Sequence, residues 1–347
     1  MHPRFMLPVL VLFVAVVPTA SAAELPPPAI DPLVRQVDRA IELSSRRFLT
    51  ARVHSPWQIL HGMLALRRDF RVTLDGRRVR AIDWISDGAT YNGLPLFEKT
   101  GHGGRAHPFT QPYHFEGHPN QFLAILSMSR LSPDHRFRTG TGQIQVTDLV
   151  RHAQKTVNDR EEITWTLWAL SHYLPPDARW VNVDGEPWSI ERLVQIQTRE
   201  PVDEAACGGS HGLFALAYAR NMARRRTRGR LGGIWLEADH KVRRFTAEAR
   251  MLQNPDGTFS ASYFAGPHQG RDWSERIETS GHTLEWLLVA VPPETLKSPW
   301  LRRGVSAVAR DLVEHADEPA ECGPLYHALH GLVLYRERTR AMTAASR

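Results

Sequence analysis

The stretch Ala206–Leu216, ACGGSHGLFAL, places a histidine and a glycine at the head of an otherwise apolar run. The same His-Gly start opens HGMLAL at His61 and HGLVLY at His330, which lie far apart in the 347-residue chain. A start that recurs in this way indicates one structural position repeated along the chain.

Six apolar runs share this character. The second run begins at His118 or Gln121. Counted from His118, three of the four spacings between the first residues of successive runs are 46 to 48 residues. Repeats of this length are typical of paired helices. The runs are HGMLAL at His61, HPNQFLAIL at His118, WTLWAL at Trp165, HGLFAL at His211, HTLEWLL at His282 and HGLVLY at His330.

Amphipathic segments alternate with these runs. SIERLVQIQ, from Ser189, has apolar residues three and four apart, and Ser189 can cap the helix that follows. VRAIDWIS, from Val79, is the shortest such segment. An all-apolar helix must be covered on most sides, so the pattern predicts an all-α fold. We expect an (α/α)6 toroid in which about six outer helices surround six inner ones.

The ends of the chain and its long loops set the expected domain limits. A basic start, an apolar stretch and Ala20-Ser21-Ala22 predict a signal peptide at 1–23, followed by a Pro-rich linker at 24–32. A single domain should then span 33–340. Two segments rich in Gly, Pro and His, at about 71–117 and 254–279, have the length of binding loops or lids. Asp75-Gly76 in the first of them can form a hairpin turn.

The signal peptide predicts a secreted or periplasmic protein, and no second long apolar run suggests a transmembrane segment in the mature chain. The net charge is +6, carried mostly by arginines. We interpret these arginines as solvated helix faces rather than as a site for an acidic partner, and an exported protein is not expected to bind nucleic acid.

LQNPDGTF, from Leu252, resembles the Gln-x-x-x-Gly-x-Trp repeat motif of the α/α-toroid proteins related to squalene cyclases and protein prenyltransferases. Gln253 and Gly257 match the motif, and Phe259 replaces its tryptophan. The chain also resembles a group of secreted bacterial toroid proteins without an established activity. This resemblance implies a terpenoid cyclase/protein prenyltransferase-like fold over most of the mature chain.

Some motifs of the known toroid enzymes are missing from the sequence. The Asp-x-Asp-Asp acid of class II terpene cyclases is absent. The prenyltransferase zinc site has Asp-x-Cys and a later His, whereas here Asp203 precedes Cys207 by four residues and His327 follows. Cys207, Cys322 and His327 resemble the two-Cys, one-His zinc site of lanthionine cyclases, without that family's local motifs.

The repeated histidines are candidates for a common site. If the inner helices are equivalent, His61, His211, His282 and His330 reach one central cavity, where imidazoles serve as bases, metal ligands or hydrogen-bond donors. The alternative is that each histidine bonds a nearby carbonyl while Gly212 and Gly331 allow close helix packing.

Two cysteines, Cys207 and Cys322, each precede an apolar run. In an exported protein a Cys207–Cys322 disulfide is the preferred expectation. Zinc held by both cysteines with His211 or His327 is the second possibility, and two free thiols are the third. Zinc is therefore a possible cofactor, although the sequence requires none.

Glu285 lies within an apolar run and needs a partner, which His282 or an arginine can supply. We expect His211, His282 and Glu285 to be the catalytic residues and His61, His118, Trp165, Tyr326 and His330 to be binding residues. For the aromatic residues among them, packing in the core is the main alternative.

Two functions remain open. The first is an enzyme acting on an extracytoplasmic polysaccharide or lipid-like substrate, with a lyase or hydrolase preferred over a cyclase or transferase. His211 or His282 would then be the base and Tyr91 or Tyr263 the acid. The second is a non-catalytic binding or scaffold protein held together by the Cys207–Cys322 disulfide.

Overall fold

Twelve α-helices make up most of residues 31–107 and 113–345, which the computed structural model describes. The predicted all-α class is confirmed. The helices are α1 (Pro32–Ser45), α2 (Pro56–Leu66), α3 (Ala81–Ser86), α4 (Gln121–Met128), α5 (Val146–Thr156), α6 (Thr164–Tyr173), α7 (Ile190–Arg199), α8 (Ser210–Arg226), α9 (Ile234–Met251), α10 (Trp273–Ala290), α11 (Pro299–Glu314) and α12 (Cys322–Ala345).

The even-numbered helices correspond to the six apolar runs. In succession α2 contacts α4, α4 contacts α6, α6 contacts α8, α8 contacts α10 and α10 contacts α12, and α12 in turn contacts α2. They carry the largest fully buried side chains of the helices, including Trp165, Trp286 and Tyr326. The core therefore lies among these six helices.

The odd-numbered helices are amphipathic. In α7 the buried residues Ile190, Leu193, Val194 and Gln197 are three or four positions apart, so one face packs inward and the other meets solvent. The glycines after two of the repeated histidines bring neighbouring elements close. A Cβ on Gly212 would lie 2.7 Å from the Gln197 side chain of α7, and one on Gly62 would lie 2.2 Å from the Phe70 ring.

Local side-chain bonds fix where several helices begin. Ser189 accepts a hydrogen bond from the backbone nitrogen of Arg192 at 3.0 Å, so the predicted cap of α7 is present. Ser55 and Gln58 form a reciprocal capping box at the start of α2. The Asp272 side chain caps α10 by accepting a hydrogen bond from the backbone nitrogen of Glu275 at 3.0 Å.

Short strands occupy much of the first predicted loop. The described strands are β1 (Leu49–Thr50), β2 (Arg71–Leu74), β3 (Arg77–Arg80), β4 (Thr90–Tyr91), β5 (Leu94–Pro95), β6 (Phe97–Thr100), β7 (Gly103–Ala106), β8 (Arg136–Thr139), β9 (Gly142–Gln145), β10 (Arg179–Val181) and β11 (Pro187–Ser189), the last four of which lie beyond that loop. The Asp75-Gly76 turn joins β2 to β3 as an antiparallel hairpin, and β1 pairs in parallel with β2. The other pairs are β4 with β5, β6 with β7, β8 with β9 and β10 with β11.

The structure differs from the sequence prediction at the second loop, because α10 begins at Trp273 rather than after 279. The predicted signal peptide at 1–23 and all but the last two residues of the linker at 24–32 lie outside the described residues. Among the residues that the structure does describe, no helix has the length and apolar character needed to span a membrane.

Candidate functional site

A cavity of about 1050 Å³ lies where several even-numbered helices begin. Its walls come from the starts of α2, α8 and α12, from the first half of α10 and from the segment before α4. The lining side chains that matter most are Trp57, His61, His118, Cys207, His211, Glu278, His282, Cys322 and His327.

Five histidines meet in this cavity. The ring of His211 is central, with its centroid 5.2 Å from that of His282, 5.2 Å from that of His327 and 5.8 Å from that of His118. His282 and His327 are 4.0 Å apart, and His61 lies 5.3 Å from His327. Of the four repeated histidines expected to converge, His61, His211 and His282 line the cavity.

Four of the five imidazoles are oriented through Nδ1. His61 Nδ1 pairs with the Trp57 carbonyl and His282 Nδ1 with the Glu278 carbonyl, each at 2.6 Å. His327 Nδ1 pairs with Glu285 at 2.8 Å, and His118 Nδ1 pairs with Glu162. Because carbonyl and carboxylate oxygens only accept, each Nδ1 carries a proton, and Nε2 is the nitrogen with the lone pair whenever the ring is neutral.

His211 differs from the other four. It is 7% exposed, and neither ring nitrogen has a hydrogen-bond partner among the described residues. Leaving a buried polar group without a partner costs about 1 to 3 kcal/mol. A ligand in the cavity is therefore the natural partner of this side chain.

Burial keeps the deep imidazoles neutral. Together with the nearby histidines it lowers the pKa of His282 and His327 to about 3 each. The pKa values of His61 and His211 fall well below the ordinary range for the same reasons. At neutral pH these side chains therefore present lone pairs rather than charges.

Cys207 reaches the cavity through an unusual backbone turn. Cys207, Gly208 and Gly209 have φ angles of 51°, 57° and 70°, the left-handed region that favours glycine. A Cβ on Gly208 would lie 2.2 Å from the Tyr263 ring. Burial and, to a smaller extent, the negative charges of Glu278 and Glu162 raise the pKa of the Cys207 thiol to about 12.

The preferred Cys207–Cys322 disulfide is not formed, because both cysteines are free thiols. Cys322 is the first residue of α12 and lines the cavity, and burial raises its pKa to about 11. The expected metal set of Cys207, Cys322 and His327 is also not the one that the structure groups together. The thiol of Cys207 instead lies within 4.8 Å of one ring nitrogen each from His211 and His282, which themselves lie within that distance of each other.

Glu285 lies behind the cavity rather than in its wall. It is 3% exposed and pairs with His327 and His330, not with His282 or an arginine. His330 is fully buried on the far side of Glu285. Glu285 and His330 therefore support His327 from behind.

The predicted aromatic binding residues belong to the core. Trp165 is fully buried and packs against His118 and His211. Tyr326 packs against Phe70, and its hydroxyl donates to the Arg47 carbonyl at 3.3 Å. Neither is among the described residues that line the cavity.

The two predicted tyrosine acids lie outside the lining. Tyr91 packs against His114 and Phe115. The Tyr263 hydroxyl is buried without a partner among the described residues, and burial raises its pKa.

Two contributors to the site, Glu162 and Tyr113, were not predicted from the sequence. Glu162 lies 44 residues from His118, and no spacing pattern in the sequence links the two. Trp57 and Tyr113 form an edge-to-face pair in the cavity wall with ring centroids 4.8 Å apart.

The lining of the cavity is acidic. Its described lining contains Glu278 and Glu321 and no arginine or lysine. A smaller cavity of about 510 Å³ shares Gly117 and His118 with it and is lined by Arg105, Glu116, Glu161 and Glu162. His118 thus lies on the boundary between the two.

Comparisons with protein-family models, with curated proteins and with solved structures find no match to this chain.

Proposed function

We propose that the chain is an α/α toroid of the squalene-cyclase and prenyltransferase type. The closed series of contacts among the even-numbered helices supports this proposal, as do the amphipathic odd-numbered helices beside them. The even-numbered helices would form the inner ring and the odd-numbered helices the outer one. The cavity would then lie at one mouth of the toroid, where loops carry functional residues.

The proposed activity is hydrolysis of an uncharged polysaccharide or lipid-like substrate outside the cytoplasm. The observation that carries this proposal is the His118–Glu162 pair, in which His118 lines the cavity and Glu162 lines the smaller cavity beside it. Glu162 holds Nδ1 of His118, so Nε2 is left to accept a proton from water, as in carboxylate-oriented histidine bases. His118 is 23% exposed, which gives water access that the deeper imidazoles lack.

The residues around Cys207 suggest how a proton is returned to the leaving group. Glu278 shares the cavity lining with His118 and Cys207. Glu278 lies one helical turn before His282 and lines the cavity. In this position Glu278 is the proposed proton donor.

The acidic lining favours a hydrolase over a lyase of an anionic polysaccharide. A lyase must stabilise negative charge that develops beside the substrate's carboxylate, and cationic side chains commonly supply this stabilisation. The described lining carries glutamates and no arginine or lysine. An uncharged substrate avoids this electrostatic penalty, and Trp57 with Tyr113 offers it an aromatic surface.

The test is a turnover assay of the purified protein on neutral polysaccharides, acylated glycans and neutral lipids, with anionic polysaccharides as the comparison. New reducing ends or released acyl groups are expected from an uncharged substrate. An unsaturated sugar product would show a lyase instead. Saturable binding without turnover would show a binding protein.

Variants assign the base once turnover is found. His118→Gln and Glu162→Gln should each lower kcat, and loss of a general base typically costs about 100-fold or more. The matched control is His315→Gln, because His315 Nδ1 pairs with Glu318 at 2.8 Å away from the cavity. An equal fall in kcat in His315→Gln and His118→Gln would mean that the loss does not depend on the position in the cavity, which would contradict His118 as the base.

A further inference from the structure

We propose that Cys207, His211 and His282 bind one zinc-like transition-metal ion at the floor of the cavity. This inference is independent of the hydrolase proposal, because a metal site can serve catalysis or simply hold a ligand. These three ligands replace Cys207, Cys322 and His327, which were the metal ligands expected from the sequence.

The first argument is distance. The Cys207 sulfur and one ring nitrogen from each histidine all lie within 4.8 Å of one another. The centroids of His211 and His282 are 5.2 Å apart with the rings inclined by 53°. Two imidazoles bound through nitrogen to one tetrahedral zinc ion have centroids about 5 Å apart, given zinc–nitrogen bonds of about 2.0 Å. A small inward movement of the side chains would complete the site.

The second argument is the unpaired state of His211. Both ring nitrogens are buried and without a partner among the described residues, although the ring lines the cavity. Buried polar atoms normally have partners, so a ligand is needed here. A metal ion supplies one for the nitrogen facing Cys207 and His282.

The third argument is the tautomer of His282. Its Nδ1 donates to the Glu278 carbonyl at 2.6 Å, which leaves Nε2 as the metal-binding atom. Metal-bound histidines usually donate their second nitrogen to a carbonyl or carboxylate in this way. The bond thus fixes both the tautomer and the direction of the lone pair.

The donor types narrow the choice of metal. One thiolate and two imidazoles suit zinc or copper rather than calcium or magnesium, which prefer oxygen ligands. Binding would ionise the thiol, because a coordinating metal stabilises the thiolate. Three protein ligands leave a fourth position for water or substrate, as in catalytic zinc sites.

A second group of possible donors lacks these properties. Asp311, Glu314 and His315 are close enough to share an ion. However, both carboxylate oxygens of Asp311 bond Arg276 at 2.9 Å, and His315 Nδ1 bonds Glu318. This group is therefore an internal ion-pair network and provides a control.

The experiment uses the full-length protein, stripped with a chelator and titrated with Zn²⁺ and with Co²⁺ as a spectroscopic probe. One ion per chain is expected, and Co²⁺ should produce a thiolate-to-metal charge-transfer band. Cys207→Ser should abolish that band, and His211→Ala and His282→Ala should each weaken Zn²⁺ binding by about 100-fold or more. Circular dichroism establishes that each variant is folded.

Cys322→Ser and His315→Ala are the matched controls, and both should keep the band and the affinity. A stripped wild-type protein that stays folded but binds neither ion would overturn the site. Loss of the band in Cys322→Ser, or its persistence in Cys207→Ser, would overturn the ligand assignment. Metal binding without turnover of any tested substrate would count against only the hydrolase proposal, and turnover by a protein that binds neither ion would overturn only the metal site.

Discussion

Nδ1 of His330 donates a hydrogen bond to Oε1 of Glu285 at 2.5 Å, in a contact between α12 and α10 from which solvent is excluded. The second carboxylate oxygen accepts from His327 Nδ1 at 2.8 Å. One carboxylate therefore orients two imidazoles and joins two helices. Of the two histidines, only His327 lines the cavity. Glu285 therefore both stabilises the core and holds a side chain of the cavity wall in place.

Glu285→Ala should lower the free energy of unfolding by about 2 to 5 kcal/mol, because it leaves two buried donors without an acceptor. Glu285→Gln should cost less, since its carbonyl oxygen can still accept from one histidine. Denaturant unfolding measures both variants. Glu294→Ala is the control, because Glu294 is exposed and its loss should change the free energy of unfolding little. An equally small change in Glu285→Ala would contradict a stabilising role of the Glu285 carboxylate.

Gly62→Ala should destabilise the protein by about 1 to 3 kcal/mol through overpacking. The added methyl group would lie 2.2 Å from the Phe70 ring, which is itself buried and cannot move freely. Thermal and denaturant unfolding provide the measurement. Gly232→Ala is the comparison, because a Cβ there meets no atom within 4 Å. Equal stability of the two variants would show that the Phe70 ring yields at little cost.

The sequence predicted the helical class and the six buried helices because continuous apolar runs mark them directly. One of its two interpretations of the repeated histidines placed His61, His211, His282 and His330 in one cavity, and the first three line it. Helix caps such as Ser189 were predictable for a similar reason, because a cap depends on residues only a few positions away.

Contacts between distant residues were not predictable from the sequence. The pairing of Glu285 with His327 and His330, and of Glu162 with His118, depends on which helix faces meet in space. The left-handed turn at Cys207 aims the thiol at His211 and His282, whereas sequence position alone favoured Cys322 as its partner. The site could therefore be predicted only in part, because the sequence does not show which faces of distant helices meet.

Lys241→Met should lower the free energy of unfolding by about 1 to 3 kcal/mol. Nζ of Lys241 donates to the carbonyl oxygens of Gln197, Thr198 and Glu200, at 3.0, 3.0 and 2.5 Å, and so satisfies the end of α7. Methionine keeps most of the apolar stem but removes the donors. Hydrogen exchange should show faster opening at the end of α7. An unchanged exchange rate at the end of α7 would mean that water binds the three carbonyl groups in place of the ammonium group without loss of stability.

Glu116→Gln should remove a pH dependence of stability. Burial raises the pKa of Glu116 from an ordinary value of 4.5 to about 8, although the backbone nitrogen of Phe122 donates to its carboxyl group at 2.8 Å. Between these two pH values the folded chain holds a proton that the unfolded chain has lost. The free energy of unfolding therefore falls as pH rises from about 4.5 to 8 and levels off above that range.

Glutamine imitates the protonated carboxyl group and does not titrate, so its variant should lack this fall. Wild type and Glu116→Gln should be similarly stable near pH 5, and the variant should be more stable near pH 9 by a few kcal/mol. Denaturant unfolding at closely spaced pH values gives the two curves. Glu191→Gln, an exposed carboxylate in α7, should follow the wild-type curve. Parallel curves for wild type and Glu116→Gln would show that Glu116 ionises in the folded protein as it does in the unfolded chain.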